Sequence, residues 1–272
     1  MKVENEFMKI DAHIHFGTDP NVASRTMVPY LHPDRPESVI QYLNEQGADI
    51  GVLWPHDRIF SPPWDADYDK QNMQVGRAVN QFPQNILGVA RINPTFGAQH
   101  TSDLLDKYKS EWNCKGVKLV AGYDFYRPND MKIMGPLLDK CEELGLVVVF
   151  HSGDAPRDLP SLQSEAAKRY PKVKFQFAHM GMHAFLWEAI IAARDSTNIW
   201  CDMSQAFTYD IAIFIEEVGF KKLVYGTDAP YQSPRVESQK VIDAIPQVDQ
   251  QKSIFRYNAI ELWGINKENQ RA

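Results

Sequence analysis

Short runs of apolar residues recur along the chain and alternate with longer segments of helical periodicity. A run that is apolar at nearly every position is typical of a strand buried on both faces of a parallel sheet. Eight such strands are predicted: Met8–His13, Ala48–Trp54, Ile86–Ile92, Gly116–Val120, Leu146–His151, Val173–His179, Ile199–Met203 and Leu223–Asp228.

Amphipathic segments lie between these runs, with apolar residues spaced as on one face of a helix. The predicted helices are Pro36–Gln46, Tyr68–Gln81, Ala98–Glu111, Met131–Leu144, Leu159–Tyr170, Ala184–Asp195, Tyr209–Val218, Arg235–Ile245 and a terminal Gln250–Trp263. Gly47, Gly145 and Gly219 each separate a helical segment from a strand. This position favours a left-handed glycine that ends the helix.

Strands that alternate with helices indicate an α/β fold, with a parallel sheet covered by helices. Eight units are the number of a (β/α)8 TIM barrel, whose functional residues gather at the carboxyl ends of the strands. A doubly wound open sheet shows the same alternation, but no G-x-G-x-x-G motif follows the first predicted strand. We therefore expect a closed parallel barrel of eight strands.

Length and composition fit one soluble domain that spans residues 1–272, of which 44% are hydrophobic. The net charge of -6 argues against a nucleic-acid or anionic-membrane partner. No apolar stretch reaches the ~18 residues needed to cross a bilayer. The three cysteines have spacings that fit neither a zinc knuckle nor a disulfide framework. We expect a cytoplasmic protein with a small-molecule substrate, and a homodimer is an open alternative to a monomer.

Histidine or aspartate residues end four of the predicted strands. His13 and His15 are two residues apart, so their side chains lie on the same face of a strand and can bind one metal ion. His151, His179 and Asp228 close three later apolar runs. A polar residue at one strand end is more often a hydrogen-bonded cap than a ligand. Because barrel closure brings these ends together, their recurrence favours a shared metal site.

Two cations and two aromatic residues are candidates for substrate binding. Arg91 and Lys118 end the third and fourth apolar runs, where they could bind a substrate carboxylate. The alternative for Arg91 is an ion pair with a strand-end acid such as Asp11. Trp54 and Tyr123 lie at or after strand ends and could line a pocket for a flat or cyclic molecule. Packing against the protein itself is the alternative for both.

Several further expectations concern the surroundings of the predicted site. The long connections Phe16–Arg35 and Pro55–Asp67, the second containing Arg58 and Trp64, are expected to form the roof of the pocket. His56 is expected to be solvated, although its loop could overhang the pocket. For Asp202, near the end of the seventh strand, a structural role is favoured over the orientation of a ligand.

Four motifs resemble the amidohydrolase superfamily, and within it the amidohydrolase-related branch that contains aminocarboxymuconate-semialdehyde decarboxylase. They are D-A-H-I-H-F-G at 11–17, F-H-S-G at 150–153, A-H-M-G at 178–181 and Y-G-T-D-A-P at 225–230. The segment R-Y-N-A-I-E-L-W at 256–263 also resembles the closing helix of that branch. The resemblance thus extends over nearly the whole chain.

The resemblance implies that His13, His15, His151 and Asp228 bind a single divalent metal ion, most often Zn²⁺, with Mn²⁺ or Fe²⁺ as alternatives. His179 would lie beside the metal as an acid, a base or a weak ligand. Lys118 occupies the strand on which binuclear relatives carry a carbamylated lysine. We favour one metal ion here, with Lys118 binding a substrate anion or supporting the site, and a binuclear site as the alternative.

Such a site indicates a metal-dependent hydrolase that activates water to cleave a small carboxylated ester, lactone or amide, expected to be cyclic. Asp228 and His179 would transfer the proton. A metal-dependent non-oxidative decarboxylase of a small unsaturated or aromatic acid is the alternative, because the same ligands serve both reactions. A catalytically inactive metal-binding barrel is less favoured, since it would not need both Asp228 and His179.

Overall fold

The computed structural model describes residues 8–17, 27–28, 31, 35–56 and 68–265. The two connections expected to roof the pocket therefore lie largely outside the described residues, as do Arg58 and Trp64. Those expectations remain predictions.

Eight parallel strands form one sheet in the order of the sequence. The strands are β1 (Lys9–His15), β2 (Ala48–Trp54), β3 (Ile86–Arg91), β4 (Gly116–Leu119), β5 (Val147–Phe150), β6 (Phe175–Phe177), β7 (Ile199–Asp202) and β8 (Leu223–Val224). Each strand pairs in parallel with the next one along the chain.

The residues after β8 run along β1 and close the ring. The backbone N–H of Ala12 donates to the carbonyl of Tyr225 at 2.9 Å, and that of Asp228 donates to the carbonyl of His13 at 2.9 Å. The N–H of His15 then donates to the carbonyl of Ala229 at 2.7 Å. We call this contact the β1–β8 junction. The predicted (β/α)8 barrel is thus confirmed.

Helices connect the strands and cover the outside of the barrel. They are α1 (Glu37–Gln46), α2 (Asp69–Gln81), α3 (Ala98–Trp112), α4 (Ala121–Asp124), α5 (Met131–Leu144), α6 (Pro160–Arg169), α7 (Leu186–Arg194), α8 (Thr208–Val218), α9 (Pro234–Ala244), α10 (Val248–Lys252) and α11 (Asn258–Trp263). None of the helices in the described part of the chain is long and apolar enough to cross a membrane.

The predicted helices and strands agree with the structure except at a few places. The expected terminal helix Gln250–Trp263 is divided, because a π-helical turn at Ser253–Tyr257 separates α10 from α11. The short helix α4 was not predicted. Gly47 and Gly145 are left-handed as expected, whereas Gly219 has φ 95° and ψ 157° and is not.

The buried apolar residues form two layers, one inside the barrel and one outside it. The first fills the barrel interior and includes Ile10, Val52, Val149 and Val224, with Trp263 from α11 packed against them. The second lies between the strands and the surrounding helices. The candidate functional side chains His13, His15 and Asp228 lie at the carboxyl ends of the strands or after them, where active sites of such barrels lie.

Candidate metal centre

Three donor atoms from the two ends of the chain meet at the β1–β8 junction. His13 and His15 come from the end of β1, and Asp228 follows β8. The Nε2 atom of His13 lies 3.0 Å from Oδ1 of Asp228 and 3.2 Å from Nε2 of His15. The Nε2 atom of His15 lies 3.1 Å from the same carboxylate oxygen. These atoms form a nearly equilateral triangle, which we call the ligand triangle.

The ligand triangle fits a divalent metal ion. Ligands about 2.1 Å from an ion lie roughly 3.0–3.4 Å from each other in octahedral or tetrahedral geometry. The three distances in the triangle match the lower part of this range. Imidazole nitrogens and a carboxylate oxygen are donors that bind zinc and manganese. The residues present therefore fit the metal that the sequence predicts, although the distances do not identify which metal.

A glycine in the β1–β8 junction permits the close approach of the two ligand segments. A Cβ atom at Gly226 would meet the Cβ atom of His13 at 2.7 Å, which is closer than real side chains come. Two residues later, Asp228 has a positive φ of 58°. Non-glycine residues rarely adopt this conformation, and those that do are enriched in functional sites. The local backbone thus brings the Asp228 carboxylate against His13.

Buried acceptors fix the orientation of both histidines in the triangle. The Nδ1 atom of His15 donates to the carbonyl oxygen of Pro55 at 3.1 Å. The Nδ1 atom of His13 donates to Oδ2 of Asp202 at 3.0 Å. A proton held on Nδ1 leaves Nε2 as the atom that can bind a metal, which is the usual arrangement of metal-binding histidines.

Asp202 has a larger role at the site than the sequence indicated. Its Oδ1 atom accepts from the backbone N–H groups of Ser204 and His179, at 3.1 and 3.2 Å. Its Oδ2 atom accepts from Nε2 of Gln176 at 2.9 Å in addition to the His13 imidazole. Burial alone would raise the pKa of Asp202, but the charge and hydrogen bond of His13 hold that pKa below its ordinary value. Asp202 thus orients a ligand and also organises the adjacent turns.

Two buried carboxylates give the centre a strong preference for a positive charge. Burial would lower the pKa of His13, yet Asp202 and Asp228 together raise that pKa to about 9. Burial would raise the pKa of Asp228, but His13 and the hydrogen bonds from both histidines hold it well below its ordinary range. A proton on His13 balances the carboxylates in the metal-free protein, and a divalent cation would supply that charge instead.

His179 lies beside the ligand triangle. It lies in a short 3-10 turn after β6 with a positive φ of 62°. Its ring centroid is 4.9 Å from that of His13 and 4.9 Å from that of His151. Burial lowers the pKa of His179 to about 3, and the nearby histidines act in the same direction. The imidazole is therefore neutral at physiological pH.

His151, the fourth expected ligand, follows β5 and lies on the other side of His179. Its Nε2 atom lies 2.7 Å from Oδ2 of Asp154, a carboxylate whose side chain is 55% exposed. The ring of Tyr123 stacks against His151, with centroids 6.4 Å apart. The structure therefore places His151 next to the centre, but it does not bring this side chain into the ligand triangle.

Both predicted cations are completely buried inside the barrel. The guanidinium of Arg91 lies 2.8 Å from Oδ2 of Asp124 in α4, and it also donates to the hydroxyl of Tyr68. An ion pair between Arg91 and an acid is thus confirmed, but the partner is Asp124 and not Asp11, which accepts hydrogen bonds from Tyr42 and Thr227.

Trp54 packs against one corner of the ligand triangle, and Lys118 lies beside Trp54. The Nζ atom of Lys118 is 5.1 Å from the ring centroid of Trp54. The Trp54 ring in turn packs 4.4 Å from that of His13 and is completely buried. Of these two candidates for substrate contact, Trp54 thus touches a candidate ligand directly, and Lys118 is separated from it by the Trp54 ring.

Sequence reasoning missed or misjudged three residues that touch the centre. His56 is only 6% exposed rather than solvated, and its ring stacks on His15 at 5.6 Å. Ser204 lies 2.9 Å from Nδ1 of His179, and Gln205 donates to Oδ2 of Asp228 at 2.6 Å. The only sequence signal for the last two is their position just after the seventh predicted strand.

The fold and the site together define a (β/α)8 barrel with a candidate metal centre at its carboxyl end. The family model described as amidohydrolase matches residues 10–265, so the chain belongs to the amidohydrolase family. The resemblance seen in the sequence motifs is thereby confirmed. A comparison with curated proteins finds no match.

Solved structures with the same fold are similar over nearly their whole length. A dihydroxybenzoic acid decarboxylase from Polaromonas sp. JS666, with bound manganese and 2-nitroresorcinol, has a TM-score of 0.76 and 15% identity, covering 98% of this chain and 100% of that chain. The 5-carboxyvanillate decarboxylase from Sphingomonas paucimobilis has a TM-score of 0.73 and 14% identity, covering 96% and 100%. A probable 2-pyrone-4,6-dicarboxylic acid hydrolase from Acinetobacter baumannii, with bound citric acid, has a TM-score of 0.71 and 18% identity, covering 94% and 99%.

Proposed function

We propose that this protein is a divalent-metal-dependent hydrolase that adds water to a small carboxylated ester, lactone or amide, with a cyclic substrate favoured. The observation that carries the proposal is the ligand triangle, in which three buried donor atoms converge at the carboxyl end of the barrel. His13, His15 and Asp228 would hold one ion, with His151 as a fourth ligand. Zinc is favoured, and the manganese named for a structural neighbour makes Mn²⁺ the main alternative.

A divalent ion in this centre would lower the pKa of a water molecule and polarise the substrate carbonyl. The protein's own residues would then transfer the proton. The Oδ1 atom of Asp228 faces the two histidines, while its Oδ2 atom is held by Gln205. This fixed carboxylate is suited to accept a proton from water and return it to the leaving group. His179 is the second group within reach of that proton.

Substrate recognition is assigned to the interior and to the stacked ring beside His151. Lys118 contributes a buried positive charge that attracts a carboxylate, and Trp54 provides a flat apolar surface next to His13. Tyr123 would contact a flat substrate from the side of His151. Arg91 is paired with Asp124, so we propose that it acts on the substrate by holding α4, which carries Tyr123.

A non-oxidative decarboxylase with the same ligands is the second candidate. The observation in its favour is that several structures with this fold carry the names of decarboxylases of aromatic acids. In that reaction Asp228 or His179 would help to protonate carbon, whereas in hydrolysis they accept a proton from water. The two candidates therefore differ in the direction of proton transfer at the same residues.

Product analysis separates the two candidates. Protein loaded with Zn²⁺ or Mn²⁺ would be screened against lactones, cyclic amides and aromatic acids in water enriched in ¹⁸O. Incorporation of ¹⁸O into an acid product without release of CO₂ is expected for the hydrolase. Release of CO₂ without ¹⁸O in the remaining product would replace it with the decarboxylase. Metal-free protein and the Asp228→Asn variant serve as controls, because turnover is expected to be lost in the first and strongly reduced in the second.

A further inference from the structure

A chain of three buried polar side chains leads from Asp202 through Ser204 to His179. We propose that Ser204 is a positioning residue that sets the tautomer of His179, so that the proton lies on Nδ1 and the Nε2 atom is a proton acceptor. The catalytic use of that acceptor rests on the hydrolase function proposed above. The tautomer itself follows from the hydrogen bonds alone.

The single hydrogen of the serine hydroxyl determines which group donates and which accepts in each of these hydrogen bonds. Ser204 has one hydroxyl hydrogen, and its Oγ atom lies 2.5 Å from Oδ1 of Asp202, a carboxylate oxygen that already accepts from the backbone N–H groups of Ser204 and His179. The serine must therefore donate to Asp202. Nδ1 of His179 lies 2.9 Å from the same Oγ atom, whose lone pairs remain as acceptors. Nδ1 must then carry the proton that joins it to the serine.

Burial prevents water from replacing these bonds. Asp202 and Ser204 are completely buried, and His179 is 2% exposed. The backbone N–H groups of Ser204 and His179 also donate to the same Oδ1 atom of Asp202. One carboxylate oxygen therefore fixes the backbone of both residues as well as the hydroxyl between them.

The Oγ atom of Ser204 also lies 3.2 Å from Nδ1 of His13, whose stronger acceptor is Asp202. The proton on Nδ1 of His13 is donated mainly to Asp202, and the two lone pairs of the serine oxygen leave one for the Nδ1–H of His179. The same carboxylate orients His13 directly and His179 through Ser204. His13 in β1 and His179 in the turn after β6 consequently share one buried anchor.

A neutral His179 with a free Nε2 lone pair can take a proton from water or bind a metal ion. It cannot give a proton to a carbanion until it has first been protonated. This tautomer therefore favours hydrolysis over decarboxylation, because it supplies a base that can accept a proton from water. Asp228 would remain the group that returns the proton to the leaving group.

The tautomer can be measured directly by NMR on zinc-loaded protein labelled with ¹⁵N-histidine, in which long-range ¹H–¹⁵N correlations distinguish the two neutral forms. We expect the Nδ1–H form of His179 in the wild type. In Ser204→Ala we expect loss of that single form, with Nε2–H becoming populated. Ser204→Thr retains a hydroxyl and should restore the wild-type pattern. Metal analysis and circular dichroism would establish that each variant is folded and loaded.

Ser152→Ala is a matched control. This serine is also completely buried and follows the candidate ligand His151, but its hydroxyl has no hydrogen-bond partner among the described residues. The control should leave the His179 tautomer unchanged. An unchanged Nδ1–H form in folded, zinc-loaded Ser204→Ala would overturn the proposal, as would an Nε2–H form in the wild type.

Kinetics on an identified substrate provide the second measurement. We expect kcat of Ser204→Ala to fall about 10- to 100-fold, the range for lost outer partners of metal-site histidines, with little change in KM. The acidic limb of the pH profile, where a general base becomes protonated, should change shape, which a purely structural defect would not cause. A wild type that shows the expected tautomer but releases CO₂ would contradict the hydrolase function and leave the role of Ser204 intact.

Discussion

The two sides of the candidate metal centre are held by different kinds of partner. On the side of β1, His13 and His15 direct Nδ1 to the buried Asp202 and to a backbone carbonyl, so that Nε2 faces the ligand triangle. On the side of β5, His151 directs Nε2 to Asp154, whose side chain is more than half exposed. The first side is organised before any ion binds, whereas the second is held by a contact that water can replace.

This difference predicts how much each side of the centre would contribute to metal affinity. Preorganised ligands lose little freedom when an ion binds, so they contribute most of the affinity. A ligand that must first leave a surface carboxylate contributes less and can adjust to the ion or the substrate. We therefore expect substitutions on the β1 side to have much larger effects than substitutions near His151.

The largest effect is expected for His13→Ala, which removes one corner of the ligand triangle and the partner of Asp202. Metal affinity should fall by more than about 100-fold, since even outer partners of such ligands contribute 10- to 100-fold. Turnover should be lost with it. Elemental analysis after dialysis measures the affinity, and retention of a full equivalent of metal would show that the triangle is not the binding site.

Asp228→Asn tests the carboxylate that joins the two histidines. The amide keeps the size of the side chain but cannot accept a proton from water. We expect kcat to decrease by about 10²- to 10⁴-fold, the range for general acid–base groups. Steady-state kinetics with the metal content measured in parallel provide the check. Full activity in a metal-loaded variant would remove Asp228 from the proposed reaction.

Asp202→Asn sharpens the comparison, because it changes the anchor of the preorganised side without touching the triangle. One of the two carboxylate acceptors becomes an NH₂ group that faces either His13 or the Ser204 hydroxyl. We expect a loss of about 10- to 100-fold in metal affinity. If competition with a chelator instead gave an unchanged affinity, preorganisation by Asp202 would have no energetic value.

Asp154→Asn is the matched substitution on the other side of the centre. A pair whose carboxylate is more than half exposed is expected to contribute about 1 kcal/mol at most, equivalent to roughly a fivefold change in an equilibrium constant. Metal affinity should therefore change by less than about fivefold in the same chelator assay. A loss as large as that of Asp202→Asn would show that the His151 side is as firmly organised as the β1 side.

The smallest effect is expected for Lys118→Ala on metal stoichiometry. With one ion per chain, wild type and variant should bind the same number of equivalents, although the variant's KM should rise if Lys118 attracts a substrate carboxylate. Equilibrium dialysis with Zn²⁺ measures the stoichiometry. Two equivalents in the wild type and one in the variant would instead support the binuclear alternative.

Local pattern was sufficient to predict the barrel, because each strand and helix has its own apolar periodicity. The same information failed where tertiary contacts decide the structure. Helix α4 is only four residues long and carries Asp124, the partner of the buried Arg91. The predicted strand Leu223–Asp228 ends early, since its last residues bond to β1 across the β1–β8 junction.

The candidate ligands were accessible to sequence reasoning because they end strands, which closure of the barrel brings together. Their partners were not. The contact of His13 with Asp202 joins residues 189 positions apart, and no periodicity indicates which acceptor faces which nitrogen. The orientation of His151 depends on Asp154, only three residues away, yet this pairing requires the turn after β5 to be known. The assignment of His151 as a fourth ligand stays a prediction.

The β1–β8 junction also determines what metal occupancy does to the stability of the protein. His13 lies in the first strand and Asp228 follows the last, so an ion bound between them would cross-link the two ends of the folded ring. Such binding raises the unfolding free energy by about 2.7 kcal/mol when free metal is 100 times its Kd. Thermal denaturation across a series of divalent cations therefore ranks the preferred metal before any substrate has been found.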